Sequence, residues 1–341
     1  MSSPAEVTLP KEHEGTREIS LAQAVNEALA EELRRDPTVF LIGEDIAEAG
    51  TPFKVTSGLV EEFGPERVLD SPISEAGITG IGLGAAMTGM RPVVDIMFGD
   101  FLTLVMDQLA NQAAKVHYMS GGRLKAPLTV RTTLGATRRS AAQHSQSLHA
   151  WFAHVPGLKV VLPSTPYDAK GLLKTAIRDD NPVVFIEDKM MFATKGTVPA
   201  EEYTIPFGAA DVKREGEDVT LVATSSMVYV ALEAADRLAE NGVSAEIVDP
   251  RTLVPLDRET LVSSAQKTGR VIVVDEGHRG FGASAELAAV IAEEAFYHLD
   301  APVRRLAAMD VPIPFSPVLE DQTVPTAEHV AASAKSLVGG S

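Results

Sequence analysis

The chain has 341 residues, 45% of them hydrophobic and 23% charged, and a formal net charge of −17. That length and composition allow two α/β domains with sizeable cores, and the acidic balance argues against nucleic acid or an anionic membrane as a partner, since both need basic patches. There are no cysteines, which excludes disulfides, a thiolate nucleophile and a Cys-ligated metal.

The N-terminus lacks the apolar core of a signal peptide, and no run reaches the ~18 uninterrupted apolar residues of a membrane span. A cytoplasmic protein is expected. Residues 1–17 read as a flexible polar tail. Ser20 and Gln23 form a capping-box pattern, followed by Leu21, Ala24, Val25, Ala28 and Leu29 at helical spacing. A short strand spans 38–42 and ends at Gly43-Glu44-Asp45. Next come a strand near 67–70, a helix near 75–89 and a strand over 92–97. Residues 101–119 read as one helix, with Leu102, Val105, Leu109, Ala113 and Val116 on a single face, ended by Gly121-Gly122. A strand at 128–131 leads into a polar loop through Ser147. A strand at 159–162 is followed by a helix opening at Thr165-Pro166, stopped by Asn181-Pro182, and by a strand at 183–186.

This alternation predicts a doubly wound, mostly parallel sheet over 18–194. Residues 195–208, with Gly196, Pro199 and Pro206, read as a linker. The alternation restarts with strands at 219–223, 244–248, 271–275 and 303–306 and helices at 227–240, 257–266 and 283–298. A second parallel α/β domain is therefore expected over 209–335. Pro312, Pro314 and Pro317 are expected to hold an extended segment.

One carboxylate stands out. No charged residue lies between Ala76 and Met90, so Glu75 is the last charge before a long uncharged, helix-like run. Such a group either starts a helix or has a proton affinity tuned by an apolar setting. Gly77, Gly80, Gly82, Gly84 and Gly89 invite a dinucleotide reading, but Gly82-Leu83-Gly84 lacks the third glycine of the fingerprint and no acidic residue ends the next strand at the expected distance of about 20 residues. Gly77, Gly80 and Gly84 fall on one helical face, which would let another helix approach closely. His144, His149 and His154 are spaced by five, against the spacing of helical metal pairs. His144 lies in a polar loop, where both a solvated and a catalytic histidine fit. Asp100 follows Gly99, but Phe101 stands where a diphosphate-metal Gly-Asp-Gly motif needs its second glycine, so Asp100 is expected to cap a helix. His278 remains a surface-loop candidate.

Several stretches together resemble the β subunit of the thiamine-diphosphate-dependent E1 component of 2-oxo acid dehydrogenase complexes, a transketolase-like family. They are Gly43-Glu44-Asp45, Asp70-Ser71-Pro72-Ile73-Ser74-Glu75-Ala76-Gly77, Tyr118-Met119-Ser120-Gly121-Gly122, Ala142-Gln143-His144-Ser145-Gln146 and Ala176-Ile177-Arg178-Asp179-Asp180-Asn181-Pro182. Thr129-Val130-Arg131-Thr132-Thr133, Tyr203-Thr204-Ile205-Pro206-Phe207-Gly208 and Pro314-Phe315-Ser316-Pro317 are most similar to acetoin dehydrogenase β subunits. Pyruvate forms usually carry Gly-Pro-Asn-Gly where Thr132-Thr133-Leu134-Gly135 stands here.

The resemblance implies that Glu75 hydrogen-bonds N1′ of the cofactor's aminopyrimidine and so promotes the ylide that attacks the substrate carbonyl. A carboxyl exchanging a proton with a weakly basic ring nitrogen calls for a water-poor setting. By the same resemblance Phe101 packs on the pyrimidine ring, Ile73 and Met97 wall the pocket, and His144 aids acyl transfer to lipoamide. Leu128, Ala176, Ile177, Asp179 and Asn181 match a potassium site. A separate E1 α subunit is expected to bring Mg2+ and the diphosphate-binding element in an α2β2 heterotetramer, with a lipoyl-bearing E2 acyltransferase as acceptor. Pyruvate or branched-chain 2-oxo acids are alternative substrates. A non-catalytic α/β scaffold subunit and a self-sufficient transketolase-like enzyme are the competing readings; the chain is short of a third, diphosphate-binding domain.

Overall fold

The computed structural model describes residues 15–339. The chain divides into two compact units. Of the described residues, one comprises 15–134 together with Trp151–Phe207; the other comprises Gly135–Ala150 together with 208–339.

In the first unit the strands are β1 (Thr16–Ser20), β2 (Val39–Gly43), β3 (Val68–Asp70), β4 (Arg91–Ile96), β5 (Thr129–Leu134), β6 (Lys159–Val161), β7 (Val183–Asp188) and β8 (Lys195–Pro199). Six of them form a parallel run in the order β6-β7-β5-β4-β2-β3. Their residues are buried on both faces, as in β2, β5 and β7 throughout, which is why they read as continuous apolar or β-branched runs. The helices are α1 (Leu21–Arg35), α2 (Leu59–Phe63), α3 (Glu75–Met87), α4 (Ala114–Met119), α5 (His149–Ala153, which begins in the other unit) and α6 (Pro166–Arg178). The capping box is formed: Gln23 N–H donates to Ser20 Oγ at 3.2 Å and Ser20 N–H to Gln23 Oε1 at 2.9 Å. Thr165 caps α6 through its hydroxyl oxygen, which accepts from Asp168 N–H at 3.1 Å. Along α1 and α6, Lys170 and Lys174, both fully buried, bridge to Glu27 and Glu31.

Four local expectations change. The stretch read as one helix over 101–119 is a 3-10 turn (Gly99–Val105), a π-helix (Asp107–Ala113) and then α4. The tight turn followed by the wide one keeps Leu102, Val105, Leu109 and Ala113 on the buried side. Asp100 lies inside the first turn; Phe98 holds the cap position. Residues 195–199, expected to be linker, form β8, which pairs antiparallel with β1 from Thr16↔Pro199 to Ser20↔Lys195. The expected tail therefore ends in a strand at Thr16, and its first fourteen residues lie outside the described ones.

The second unit has β9 (Asp211–Arg214), β10 (Val219–Ala223), β11 (Ala245–Asp249), β12 (Thr252–Val254), β13 (Val271–His278) and β14 (Arg304–Ala308). One sheet runs β14-β13-β10-β11-β9, parallel except for β9. Helices α7 (Met227–Ala239) and α11 (Ala327–Val338) cover one face, and α8 (Arg258–Thr268) and α9 (Ala283–Glu294) the other. The proline-rich segment, expected to be extended, contains a short helix α10 (Pro317–Glu320) with Pro317 at its first position.

Candidate active site

In an open parallel sheet, ligands bind beyond the carboxyl ends of the strands, where the strand order reverses. In the first unit that place is beside β2 and β4. The chain leaves β2 for β3 on one side and returns through α3 to β4 on the other. Gly43 ends β2, and a Cβ there would lie 2.8 Å from Asp95 O, so only glycine allows this approach. The loop after β2 is pinned on both sides: Ala47 N–H donates to Asp70 Oδ1 at 2.8 Å, and Thr56 donates to Ile46 O at 2.7 Å.

Glu75 is the first residue of α3 and is buried, 8% exposed. Helix start and buried carboxylate thus coincide in one group. Glu44 stands just past the end of β2, near enough for the Glu75 charge to act on it. Burial raises the Glu44 carboxyl above its ordinary value, the neighbouring Glu75 charge adds to this, then Asp45 and Asp95; only the Ser74 N–H opposes it. Glu44 Oε1 has no hydrogen-bond partner among the described residues. Burial and neighbouring negative charge both favour the protonated form of Glu44. In the sequence Glu44 stands within the Gly43-Glu44-Asp45 stretch with nothing to assign it a role. The signal available was an acidic residue at the carboxyl end of a buried strand, without any indication of what it would face.

Along the neighbouring strands, where Asp95 lies beside Gly43 and Arg131 beside Asp95, Arg131 is fully buried between Asp95 and Glu187. It donates from Nε to Glu187 Oε1 at 2.7 Å and from its terminal nitrogen to Asp95. Burial pushes the Glu187 carboxyl up to about 7 against the pull of Arg131. This charged layer ties β4, β5 and β7 together beside the site.

Phe101 is half-buried and meets Phe98 edge-on, with centroids 5.8 Å apart. Phe98 meets Phe53 edge-on at 6.4 Å, and Phe53 stacks on Phe192 at 4.5 Å. The fully buried Lys189 lies over the Phe98 ring. Met97, half-buried, is fixed through its carbonyl, which accepts from the Thr133 hydroxyl at 2.9 Å. Ile73, in the turn before α3, is 81% exposed. Glu75, Met97 and Phe101 thus belong to the sheet-end region of one unit, with Ile73 on its rim. His144 lies in the other unit, half-buried on the loop from Gly135 to Ala150.

The five residues matched to a potassium site gather at the end of α6 and the start of β5. Arg91 donates to Ile177 O at 3.1 Å and Asp179 O at 3.0 Å; Val183 N–H donates to Leu128 O, and Asp179 N–H to Ala176 O. The Asp179 carboxylate accepts from Asn181 and Lys159. The glycine face also differs from expectation. A Cβ at Gly80 or Gly84 would meet nothing, whereas one at Gly82 would lie 2.5 Å from Val94 Cγ2. Within the chain, Gly82 is therefore the close-packed glycine and the Gly80/Gly84 face is open.

Residues 17–194 match the family model "Transketolase, pyrimidine binding domain", and residues 208–330 match "Transketolase, C-terminal domain". With this fold and site, the chain belongs to the transketolase-like family, as a β subunit of the E1 type found in 2-oxo acid dehydrogenase complexes. It is 50% identical to the acetoin:2,6-dichlorophenolindophenol oxidoreductase subunit beta of Bacillus subtilis (strain 168), over 95% of this chain and 98% of that one. It is 46% identical to the 2-oxoisovalerate dehydrogenase subunit beta of the same organism, over 94% and 98%. It is 45% identical to a mitochondrial pyruvate dehydrogenase E1 component subunit beta-2 of Oryza sativa subsp. japonica, over 94% and 86%. Among solved structures, an inactive β4 tetramer of a split-gene transketolase superposes with a TM-score of 0.77 at 24% identity, covering 94% of this chain and 98% of that chain; this likeness speaks for the fold alone.

Proposed function

We propose that the chain binds the aminopyrimidine half of thiamine diphosphate and, with an E1 α subunit, cleaves acetoin or a 2-oxo acid and passes the acyl group to a lipoyl-bearing E2. The observation that carries this is the buried Glu75 at the start of α3, beside the sheet switch point and near enough to Glu44 for its charge to raise that carboxyl. When bound, the cofactor supplies a nucleophilic carbon able to cleave the bond beside a carbonyl. The chain's own residues do the rest. Glu75 holds a proton against the aminopyrimidine ring nitrogen, and Glu44 shares the charge that proton leaves behind. Phe101, Met97 and Ile73 supply apolar contact that keeps water from the carboxyl. His144 moves a proton during transfer to the lipoyl acceptor.

The diphosphate and its Mg2+ fall to the α subunit, because the Gly99-Asp100-Phe101 turn is closed. A Cβ at Gly99 would already lie 2.7 Å from Thr133 O. The open Gly80/Gly84 face, flanked by the exposed Ile81, suits close approach of a partner helix. Acetoin is the substrate favoured by the Thr132-Thr133-Leu134-Gly135 stretch. A potassium ion at Leu128, Ala176, Ile177, Asp179 and Asn181 would share carbonyl acceptors with Arg91.

Reconstitution with the α partner tests the reading. Thiamine diphosphate with Mg2+ should barely raise the melting temperature of the chain alone but should stabilise the reconstituted tetramer. Glu75→Gln should assemble normally and lose turnover. Tight cofactor binding by the chain alone, or near-normal turnover of Glu75→Gln, sinks the proposal. Assaying acetoin, pyruvate and a branched-chain 2-oxo acid with an artificial electron acceptor decides the substrate.

A further inference from the structure

The second unit's sheet also has a switch point. Strand β10 leads through α7 to β11 on one side, while β13 leads through α9 to β14 on the other, and α7 and α9 lie on opposite faces. The crevice between the carboxyl ends of β10 and β13 is where such a sheet would take a ligand. Here a histidine from the chain itself is seated at that place.

His149 is 2% exposed, and its Nε2 lies 3.1 Å from Asp275 Oδ1 and 3.3 Å from Oδ2. Asp275, in β13, is fully buried, and its Oδ1 also accepts from the Thr224 hydroxyl at the end of β10, at 2.8 Å. Burial alone would raise the Asp275 carboxyl, yet His149, with Thr224 and the Gly277 N–H, holds it below its ordinary value. Gly277 closes over the pair: a Cβ there would lie 3.0 Å from Asp275 Oδ2 and 3.1 Å from His149 Cε1.

Two further carboxylates grip the same loop upstream of His149. Glu276 Oε1 accepts from Ala136 N–H at 2.7 Å. The fully buried Glu320 accepts from Arg139, both from its N–H at 3.2 Å and from its guanidinium at 2.7 Å. Between these grips the backbone is strained, with φ of 66° at Thr137, 60° at Arg139 and 59° at Ala141. His144 sits between the Arg139 and His149 anchors, and its N–H donates to Ala141 O at 3.4 Å. A strained loop keeps one shape only when its surroundings over-determine it.

We propose that His149 and Asp275 are positioning residues: their buried pair, plugged into the second unit's switch point, locks the Gly135–Ala150 loop and so fixes where His144 is presented. Glu276 and Glu320 secure the other end. The part concerning presentation rests on the role of His144 put forward above; the anchoring itself does not.

The test uses the holoenzyme reconstituted with its α partner. The variants are His149→Leu, which removes the anchor, His149→Gln, whose amide can donate to Asp275 from near the Nε2 position, and His144→Ala. Hydrogen exchange of residues 135–150 reads the anchor directly. In His149→Leu the loop amides should exchange at least about ten-fold faster, with slower loss in His149→Gln. Lipoyl acylation should fall by about 10–100-fold in kcat, while KM for the carbonyl substrate and the reaction with an artificial acceptor stay within about two-fold. His149→Gln should recover most of the loss. Unchanged loop exchange in a folded His149→Leu overturns the proposal. So does faster exchange with intact acylation when His144→Ala abolishes acylation. If His144→Ala itself acylates normally, the role of His144 falls, and the exchange measurement still decides the anchor.

Discussion

Replacing Glu187 by glutamine removes a single titration from the buried layer beside the candidate site. In the folded chain Glu187 is fully buried, and burial, opposed by Arg131 and helped by Asp95, lifts its carboxyl to about 7 from an ordinary 4.5. At about 1.4 kcal/mol per unit, that separation corresponds to about 3 kcal/mol. The sign follows from where the proton is held. A carboxyl raised in the folded state contributes stability that is fully present below 4.5 and lost as pH rises through about 7. Between pH 5 and 8 the native chain should therefore lose about 2.5 kcal/mol that Glu187→Gln does not lose. For a unit of this size that is a divergence of about 5–10 °C in melting temperature. Melting both proteins by circular dichroism across that pH range measures it. Parallel profiles would refute the argument, because they would mean that Glu187 stays ionised beside Arg131 and that burial does not govern it.

Arg131→Met should be far more damaging than Glu187→Gln. It leaves Asp95 and Glu187 buried with no cation between them, costing about 3–5 kcal/mol near neutral pH by chemical denaturation. Thr165→Ala removes the cap of α6 and should cost about 1 kcal/mol in the same assay. Gly157→Ala should prevent soluble expression or cost upwards of about 3 kcal/mol, since φ is +100° and the new Cβ would lie 2.0 Å from the Ala114 carbonyl oxygen. If potassium binds at the end of α6, exchanging sodium for potassium should raise the melting temperature, and Asp179→Ala should abolish the difference.

Most of the fold is legible in the sequence because its signals are local. The capping residues Ser20 and Thr165, the buried runs at β2, β5 and β7, and Asn181-Pro182 each act within a few residues of where they stand. What escapes the sequence is pairing at long range. Residues 195–199 carry linker chemistry, yet their backbone partners are Thr16–Ser20, far away in the chain. The glycines of α3 show the same limit. Their spacing marks Gly77, Gly80 and Gly84 as one face, but only the position of Val94 shows that Gly82 is the one the sheet requires. Glu75 was legible as an isolated charge before an apolar helix. Glu44 was not, because its importance lies in what it faces.

The two carboxyl clusters also divide labour in a way that follows from their surroundings. Glu44 and Glu75 repel each other at a strand end, and Glu44 keeps an oxygen without a partner among the described residues. That arrangement is costly for folding and suited to taking up a proton. Asp95 and Glu187 repel each other too, but Arg131 lies between them and their layer is buried. Such a triad resists movement of β4, β5 and β7 relative to one another. Uncompensated charge just past a compensated layer on neighbouring strands is a rational order: the Arg131 layer fixes the strand ends, so that Glu44 and Glu75 need not relax apart to relieve their repulsion. Neutralising the Arg131 layer should therefore loosen the site before it unfolds the chain. In the reconstituted enzyme, Arg131→Met should raise the cofactor concentration needed for half-maximal activity at temperatures where the variant is still folded. An unchanged cofactor requirement in a folded Arg131→Met would show that the two layers act independently.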